Sequence, residues 1–350
     1  MMAGKSLFSS LLSLFNEKEP LAAKEGAVQE KKRVGVADLV CARQERIGQA
    51  EEEQDWQGAA RTAVELSNVW LLMGEWQAVA ALVARAQEWL HHFEDPLTRI
   101  YLHSCLAVAR HRAGELQESR RLFQEAESWQ AERQTAYHWL IGLPGSSYCA
   151  LLLEQAREEG DWERVLHRSQ YSQKIVKNQF AVAMDYLAQG RALAGLARHE
   201  AARVAMQQAV TLLRRSERRL YLPEFLLQQG HFLRQLGEGE RAQSLWQEAW
   251  QIANDEALPP YQVECHLLAG HLAVDAKECD EAERALLAAE QGVQTLHYGQ
   301  KLAEVHLLRL RLCRCQGRVQ EAAEERPILL EHIAAREQWG LMRLWESELR

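Results

Sequence analysis

The sequence predicts an all-α solenoid, a stack of helix pairs in which each pair contacts mainly its neighbours. Three observations lead to this prediction. A short turn-like segment recurs along the chain, small residues recur at fixed distances from it, and the strong helix formers Leu, Ala, Glu, Gln and Arg dominate the composition. A fixed period of this kind is typical of helical-repeat proteins.

The turn-like segments define the repeat unit. Most of them begin with a glycine that an acidic residue follows. They start at Gly74, Gly114, Gly160, Ala197, Gly237, Lys277 and Gly317, in steps of 40, 46, 37, 40, 40 and 40 residues. Each segment is expected to join the first helix of a pair to the second, so the sequence predicts about seven helix pairs in the range 58–338. The stretch 143–147, which contains Pro144 and Gly145, falls in the longest step and is predicted to be a loop.

Small residues recur at most of the positions seven residues before a turn, and five and twelve residues after it. Glycine and alanine allow two helices to approach closely while larger neighbours fill the grooves, so these positions are predicted to lie where helices cross. The clearest examples are Gly190, Ala202 and Ala209, then Gly230, Ala242 and Ala249, then Gly270, Ala282 and Ala289.

This pattern resembles the tetratricopeptide repeat family, whose consensus combines small residues in both helices with a turn such as Gly160-Asp161-Trp162. The usual unit of that family has about 34 residues. Units of 40 residues are closer to the sensor solenoids of maltose-regulator-type and related signal-transducing NTPase proteins, which the protein also resembles. The resemblance implies a right-handed superhelix with capping helices, in which the first helices line a concave groove that binds a partner.

The two ends of the sequence lie outside the repeats. Residues 1–33 are predicted to form an amphipathic helix and a flexible linker, 34–57 capping helices, and 339–350 a C-terminal capping helix. No apolar run reaches the roughly 18 residues of a membrane-spanning helix. The first segment is a candidate docking helix for protein or for peripheral contact with a membrane. Its apolar residues at helical spacing are Leu7, Phe8, Leu11, Leu12 and Phe15.

The sequence contains no recognisable catalytic, metal or cofactor motif. The patterns HExxH, GxGxxG and GxSxG are absent. Cys313 and Cys315 would lie roughly 200° apart around a helix, and Asp275 is the one helical neighbour that could join His271 at a metal. The sequence therefore predicts a protein that is not an enzyme and that needs no metal or cofactor.

The net charge and the cysteine content indicate which kinds of partner and which cellular location to expect. A net charge of −8 argues against general nucleic-acid binding. The seven cysteines include no CxxC pair, which favours reduced thiols and a cytoplasmic protein.

Counting back from each turn predicts which residues face the concave groove. In the last four pairs the positions six and three residues before the turn are rich in basic side chains, here named the basic strip: Arg191, His231, Arg234, His271, Arg311 and Arg314. Arginine pairs well with carboxylates, so the strip is predicted to bind an acidic peptide, the carboxyl terminus of another protein or a phosphorylated ligand. The alternative is that these side chains pair with Glu224, Glu264 and Glu304 or remain hydrated.

Two functions follow from these features. The first is an adaptor or scaffold for protein–protein interaction that holds an anionic partner segment in the groove. The second is a ligand- or peptide-sensing regulatory module of a signalling or transcription-control system, in which the ligand changes the pitch of the superhelix. The sequence favours the first function and does not identify the partner.

Overall fold

The computed structural model describes residues 35–216 and 218–349, and within these ranges the protein forms helices and no strands. The fold is an all-α solenoid of helix pairs, as predicted. The helices are α1 (Val36–Glu52), the pairs α2–α3 (Trp56–Met73, Trp76–Trp89), α4–α5 (Pro96–Arg112, Leu116–Arg133), α6–α7 (Gly142–Gln155, Glu159–Ile175), α8–α9 (Gln179–Gly195, His199–Arg214), α10–α11 (Leu222–Gln235, Gly239–Asp255), α12–α13 (Pro259–Asp275, Cys279–Leu296) and α14–α15 (Leu302–Cys315, Val319–Ala335), and the short helices α16 (Trp339–Leu344) and α17 (Glu346–Leu349).

The seven pairs from α2 to α15 are called repeats 1 to 7. A single helix, α1, precedes them, and two short helices follow them where one C-terminal helix was predicted. The break falls at Trp345, whose side chain is buried against α14 together with Leu349. Residues 339–349 are called the C-terminal segment below. The candidate docking helix at residues 7–15 lies outside the described residues.

The prediction of a loop at 143–147 is wrong, because this stretch forms the first turns of α6. Proline is tolerated near the start of a helix, where its missing N–H has no intrahelical partner to lose. The extra length of repeat 3 lies instead in residues 134–141, which connect α5 to α6.

In six of the seven repeats the turn has a conformational cause; in repeat 3 the predicted turn residue Gly160 lies within α7, and α6 ends at Gln155 with Ala156 in an extended conformation. At the turn positions Gly74, Gly114, Gly237 and Gly317 the backbone has a positive φ, between 71° and 85°. This left-handed conformation ends a helix and satisfies its last carbonyls, and it favours glycine. Ala197 and Lys277 adopt the same conformation, with φ of 56° and 62°, which explains why the repeat persists where glycine is absent.

The small residues lie at helix crossings, as predicted. A Cβ atom added to Gly190 would lie 2.5 Å from the Met206 side chain, and one added to Gly270 would lie 2.5 Å from Leu308 of the next repeat. Ala202, Ala242 and Ala282 are fully buried. These close approaches join the helices within a repeat and also join one repeat to the next.

The superhelix winds tightly enough for its successive turns to touch. Repeat 1 meets repeat 6, where Gly74 lies against Pro260, and repeat 3 meets the C-terminal segment, where Gly340 packs on the Leu153 carbonyl oxygen. Between repeats 2 and 7 the backbones are in contact: a Cβ on Gly299 would lie 2.1 Å from the carbonyl oxygen of Ala113. The concave groove is therefore not an open channel but a lumen that the first helices surround.

In the ranges that the structure describes, no helix combines the length and the apolar character that crossing a membrane requires.

Candidate functional site

The lumen contains a cavity of about 200 Å³. First helices of the early and middle repeats line it, and the loop before α14 and the C-terminal segment complete the wall. Its lining is mixed: charged side chains lie beside a large apolar surface, to which Leu71, Val108, Leu143, Met184, Phe232 and Trp345 contribute. A cavity with apolar walls and a few convergent polar groups is the usual form of a ligand site.

One part of the wall is an ion-pair network that joins repeat 2 to repeats 6 and 7. Arg112 of α4 donates hydrogen bonds to the Tyr298 hydroxyl (2.9 Å) and to the Gln300 side-chain oxygen (3.1 Å). Tyr298 in turn donates to Glu264 of α12 (2.7 Å). The Lys301 ammonium lies 3.3 Å from the same carboxylate. These buried charges are paired, as burial requires.

A second part of the network centres on Glu154 of α6. Its carboxylate lies 3.0 Å from His111 Nε2 and accepts a hydrogen bond from Gln338 (3.2 Å) and another from Gln300. Burial on its own would raise the pKa of Glu154, but His111, the Arg191 charge and the Gln338 hydrogen bond lower that pKa to about 2. Glu154 is therefore ionised at neutral pH and joins three elements that are far apart in sequence.

His231, one residue of the basic strip, does line the cavity. Its Nε2 lies 3.4 Å from Glu304. Burial lowers its pKa, partly offset by the Glu304 charge and reinforced by Lys301 and Arg234. At neutral pH His231 is consequently a neutral ring in the wall rather than a cation.

Arg191, the first residue of the basic strip, also lines the cavity and is partly buried. Its charge contributes to the low pKa of Glu154, but no hydrogen bond or ion pair links its guanidinium to another of the described residues. The other arginine and the lysine of the lining, Arg112 and Lys301, are both paired with carboxylates. Arg191 is thus the cation in the lining that has donors available for a ligand.

The other four residues of the basic strip contact groups of the protein itself, where the prediction had them bind a partner; Arg234 and His271 are buried, Arg311 is half-buried and Arg314 is exposed. The carboxylate of Glu348 in α17 lies 2.7 Å from Arg234 Nη2 and 2.8 Å from Arg311 Nε. Asp275 pairs with both arginines as well. The C-terminal segment covers this region because Trp345 and Leu349 pack into the apolar surface of α14.

Arg314 and His271 are part of the same arrangement. Arg314 donates to the backbone oxygen of Glu348. His271 is buried and accepts a hydrogen bond from Arg311 at 2.7 Å through Nδ1. Burial and the neighbouring Arg234 and Arg311 charges keep the pKa of His271 well below its usual value. This end of the strip is an intramolecular contact between the repeats and the C-terminal segment.

The alternative prediction for the strip, pairing with nearby glutamates, holds in part. Glu304 contacts His231, but Glu264 pairs with Arg112 and Lys301, and Glu224 lies 3.6 Å from Arg112. The partners of Arg234 and Arg311 are Asp275 and Glu348 instead. Within the described ranges, no three His, Cys, Asp or Glu side chains are grouped as a metal ion would need.

Sequence reasoning missed the residues that close the lumen. Tyr298, Gln300 and Gln338 lie in connections between helix pairs, outside the repeated positions. Their partners on α4 and α6 are 146 to 189 residues away along the sequence, as the Gln300–Glu154, Gln338–Glu154, Arg112–Tyr298 and Gln300–His111 contacts illustrate. A repeat pattern carries no signal for contacts between successive turns of the superhelix.

No protein-family model matches the protein, and no curated protein matches it. Among the solved structures that match is the crystal structure of the apo form of RapI, with 12% sequence identity and a TM-score of 0.49, over 85% of this chain and 98% of that one. At this identity and score, what the protein binds has to be inferred from its own residues.

Proposed function

We propose that the protein is a non-catalytic binding module whose lumen receives a short acidic peptide segment at Arg191. The observation that carries the proposal is a cation with free donors in an otherwise paired, largely apolar cavity. An arginine fork binds a carboxylate through two parallel hydrogen bonds, and such bonds are stronger than neutral ones. The apolar lining would hold the neighbouring side chains of the same segment.

The geometry favours a segment of a few residues over a folded partner domain. The lumen is surrounded by first helices, and the outer part of the basic strip is already paired with the protein's own carboxylates. The tetratricopeptide resemblance supports a ligand on the concave side. Two sources share this chemistry: a free peptide, for which the protein would be a sensor, and the acidic tail of another protein, for which it would be an adaptor.

The absence of catalysis and a cytoplasmic location are part of the same proposal. The buried carboxylates Glu154 and Glu264 are committed to ion pairs between repeats, which leaves them poorly placed to exchange protons with a substrate. All seven cysteines are free thiols, which suits a reducing compartment.

The test compares the wild type with Arg191→Gln and with Arg198→Gln as a matched control. Arg198 is exposed and pairs with Glu163 outside the cavity. Short peptides with a terminal or side-chain carboxylate, and their amidated neutral counterparts, are titrated by calorimetry. We expect acidic peptides to bind the wild type and the control, with a loss of roughly tenfold or more in Arg191→Gln, since a charged hydrogen bond contributes about 1.5–3 kcal/mol. Equal binding by all three proteins, or by neutral peptides, would contradict the proposal.

The two sources are distinguished by native mass spectrometry of the full-length protein purified from its own cells. A free acidic peptide that is retained by the wild type and absent from Arg191→Gln identifies a sensor. A protein that is retained in the same way, and that is lost when its acidic tail is removed, identifies an adaptor.

A further inference from the structure

Two cysteines from consecutive repeats lie side by side at the turn edge of the solenoid. Cys279 is the first residue of α13 in repeat 6, and Cys315 is the last residue of α14 in repeat 7. Their sulfur atoms are 3.0 Å apart, about 1 Å longer than the roughly 2.05 Å of a disulfide bond. Both side chains are partly exposed, so a soluble oxidant can reach them.

The other cysteines differ from this pair. Cys105, Cys149, Cys265 and Cys313 are buried, and Cys41 is exposed; none of them makes a sulfur–sulfur contact within the described residues. Burial raises the pKa of Cys105 to about 12 and that of Cys149 to about 11. The hydrogen bond with Cys315 raises the pKa of Cys279 as well, so the pair is distinguished from the buried cysteines by its exposure and by the sulfur–sulfur contact.

We propose that Cys279 and Cys315 are a dithiol–disulfide pair that a small disulfide of the glutathione type oxidises. The thiolate of one cysteine attacks a sulfur of oxidised glutathione and releases one glutathione as a thiol. The second cysteine then loses its proton and attacks the protein sulfur of the mixed disulfide, which forms the Cys279–Cys315 bond and releases the second glutathione. Two protein thiols are oxidised and one glutathione disulfide is reduced, so electrons and protons balance.

The bond would join repeats 6 and 7 covalently at one edge. It closes a loop that contains all of α13 and all of α14, and a cross-link of this kind restricts the unfolded polypeptide. Cys315 follows Arg314, which holds the backbone of Glu348. Oxidation therefore stiffens the two repeats on which the C-terminal segment is docked.

The test uses the reduced full-length protein, which is incubated with oxidised glutathione, alkylated and mapped by mass spectrometry. We expect an intramolecular Cys279–Cys315 cross-link, alkylation of the buried cysteines after denaturation, and a rise in Tm of several degrees that dithiothreitol reverses. Single substitutions Cys279→Ser and Cys315→Ser should each leave a mixed glutathione disulfide on the remaining cysteine, because its resolving partner is gone.

The control Cys41→Ser removes the exposed cysteine that has no neighbouring sulfur and should form the cross-link like the wild type. The inference is overturned if wild-type Cys279 and Cys315 stay reduced while Cys41 reacts. It is also overturned if they accumulate mixed disulfides without a cross-link, or if the cross-link joins two protein molecules.

Discussion

The contact between repeats 2 and 7 can be tested with one methyl group. In Gly299→Ala the new Cβ would lie 2.1 Å from the carbonyl oxygen of Ala113 and 2.9 Å from its carbonyl carbon. Ordinary carbon–oxygen contacts are about 3.3 Å or longer, and a backbone carbonyl cannot rotate away as a side chain can. The two turns of the superhelix must therefore separate by about 1 Å at this point.

That separation has a calculable effect on the closing network. The Arg112–Tyr298, Arg112–Gln300 and His111–Gln300 hydrogen bonds are 2.9–3.1 Å long, and an added ångström takes all three beyond hydrogen-bonding distance. At about 1–2 kcal/mol each, their joint loss is roughly 3–6 kcal/mol. Because repeats are held mainly by their neighbours, we expect the turns to part while the helices persist.

The assay combines small-angle scattering, thermal unfolding and circular dichroism. Gly299→Ala should have a larger radius of gyration and a lower Tm at unchanged helix content. Gly160→Ala is the control, since Gly160 is exposed near the start of α7 and, apart from the backbone of its own helix and its chain neighbours, a Cβ there comes no closer than 4.0 Å to another atom. A Gly299→Ala variant with the dimensions and Tm of the wild type would refute the reasoning, because the two turns could not then be in contact.

Three further substitutions probe buried charges. Glu154→Gln should lower the free energy of unfolding at pH 7 by on the order of 3 kcal/mol, because the pKa of the wild-type carboxyl is lowered from 4.5 to about 2. The stabilisation by this carboxylate is present above pH 4.5 and disappears as the pH falls towards 2. Urea titrations of the wild type and the variant should therefore give the same stability near pH 2. Asp185→Asn should raise Tm at pH 8, because burial raises the pKa of Asp185 to about 7. Ionisation of this buried carboxyl costs stability as the pH rises from about 4 through 7. A variant that is less stable than the wild type at pH 8 would contradict the prediction. Glu348→Gln removes the carboxylate that α17 offers to Arg234 and Arg311, and because Asp275 still pairs with both arginines the local cost should be less than the roughly 3–5 kcal/mol of an unpaired buried charge. Hydrogen exchange should accelerate in the C-terminal segment first, and uniform acceleration would show that the segment is not a separate unit.

The helix pairs were predictable because the information that specifies them is local. A left-handed turn residue, as at Gly74 or Gly237, ends the first helix of every repeat except the third. Small residues such as Gly190 and Gly270 mark each crossing, and both signals recur within a window of about one repeat. The loop predicted around Pro144 was wrong because proline is compatible with a loop and also with the first turn of a helix. The sequence offers no local feature that decides between the two.

The lining of the lumen was predicted only at its centre. Counting back from each turn placed Arg191 and His231 on the concave side, where both line the cavity, because this count depends on helix geometry alone. It could not show that Arg234 and Arg311 are covered, because this depends on where the C-terminal segment docks. One signal was available: the acidic Glu348 lies between the apolar Trp345 and Leu349, a pattern complementary to a basic strip beside an apolar helix.

Closure of the superhelix depends on the rotation and rise that accumulate over several repeats. Each repeat adds a small rotation and rise, and contact between repeats 2 and 7 requires their sum over five steps to be correct to within about an ångström. Glycine at position 299 is the one residue type that permits the approach to Ala113, but a single glycine in a connecting loop is indistinguishable in sequence from an ordinary turn. Spacing can therefore predict the architecture and leave the pitch undetermined.

Closure has a consequence for binding. A ligand held at Arg191 contacts a wall made of both early and late repeats, so it interacts with the closed state more strongly than with a state in which the turns have parted. Linkage then requires that ligand binding favours closure and that closure favours binding by the same factor. Gly299→Ala, whose methyl group faces Ala113, should accordingly weaken binding of an acidic peptide while Arg191 and its donors are intact. If the peptide bound this variant as tightly as the wild type, the lumen would be a site that the turns surround but do not help to form.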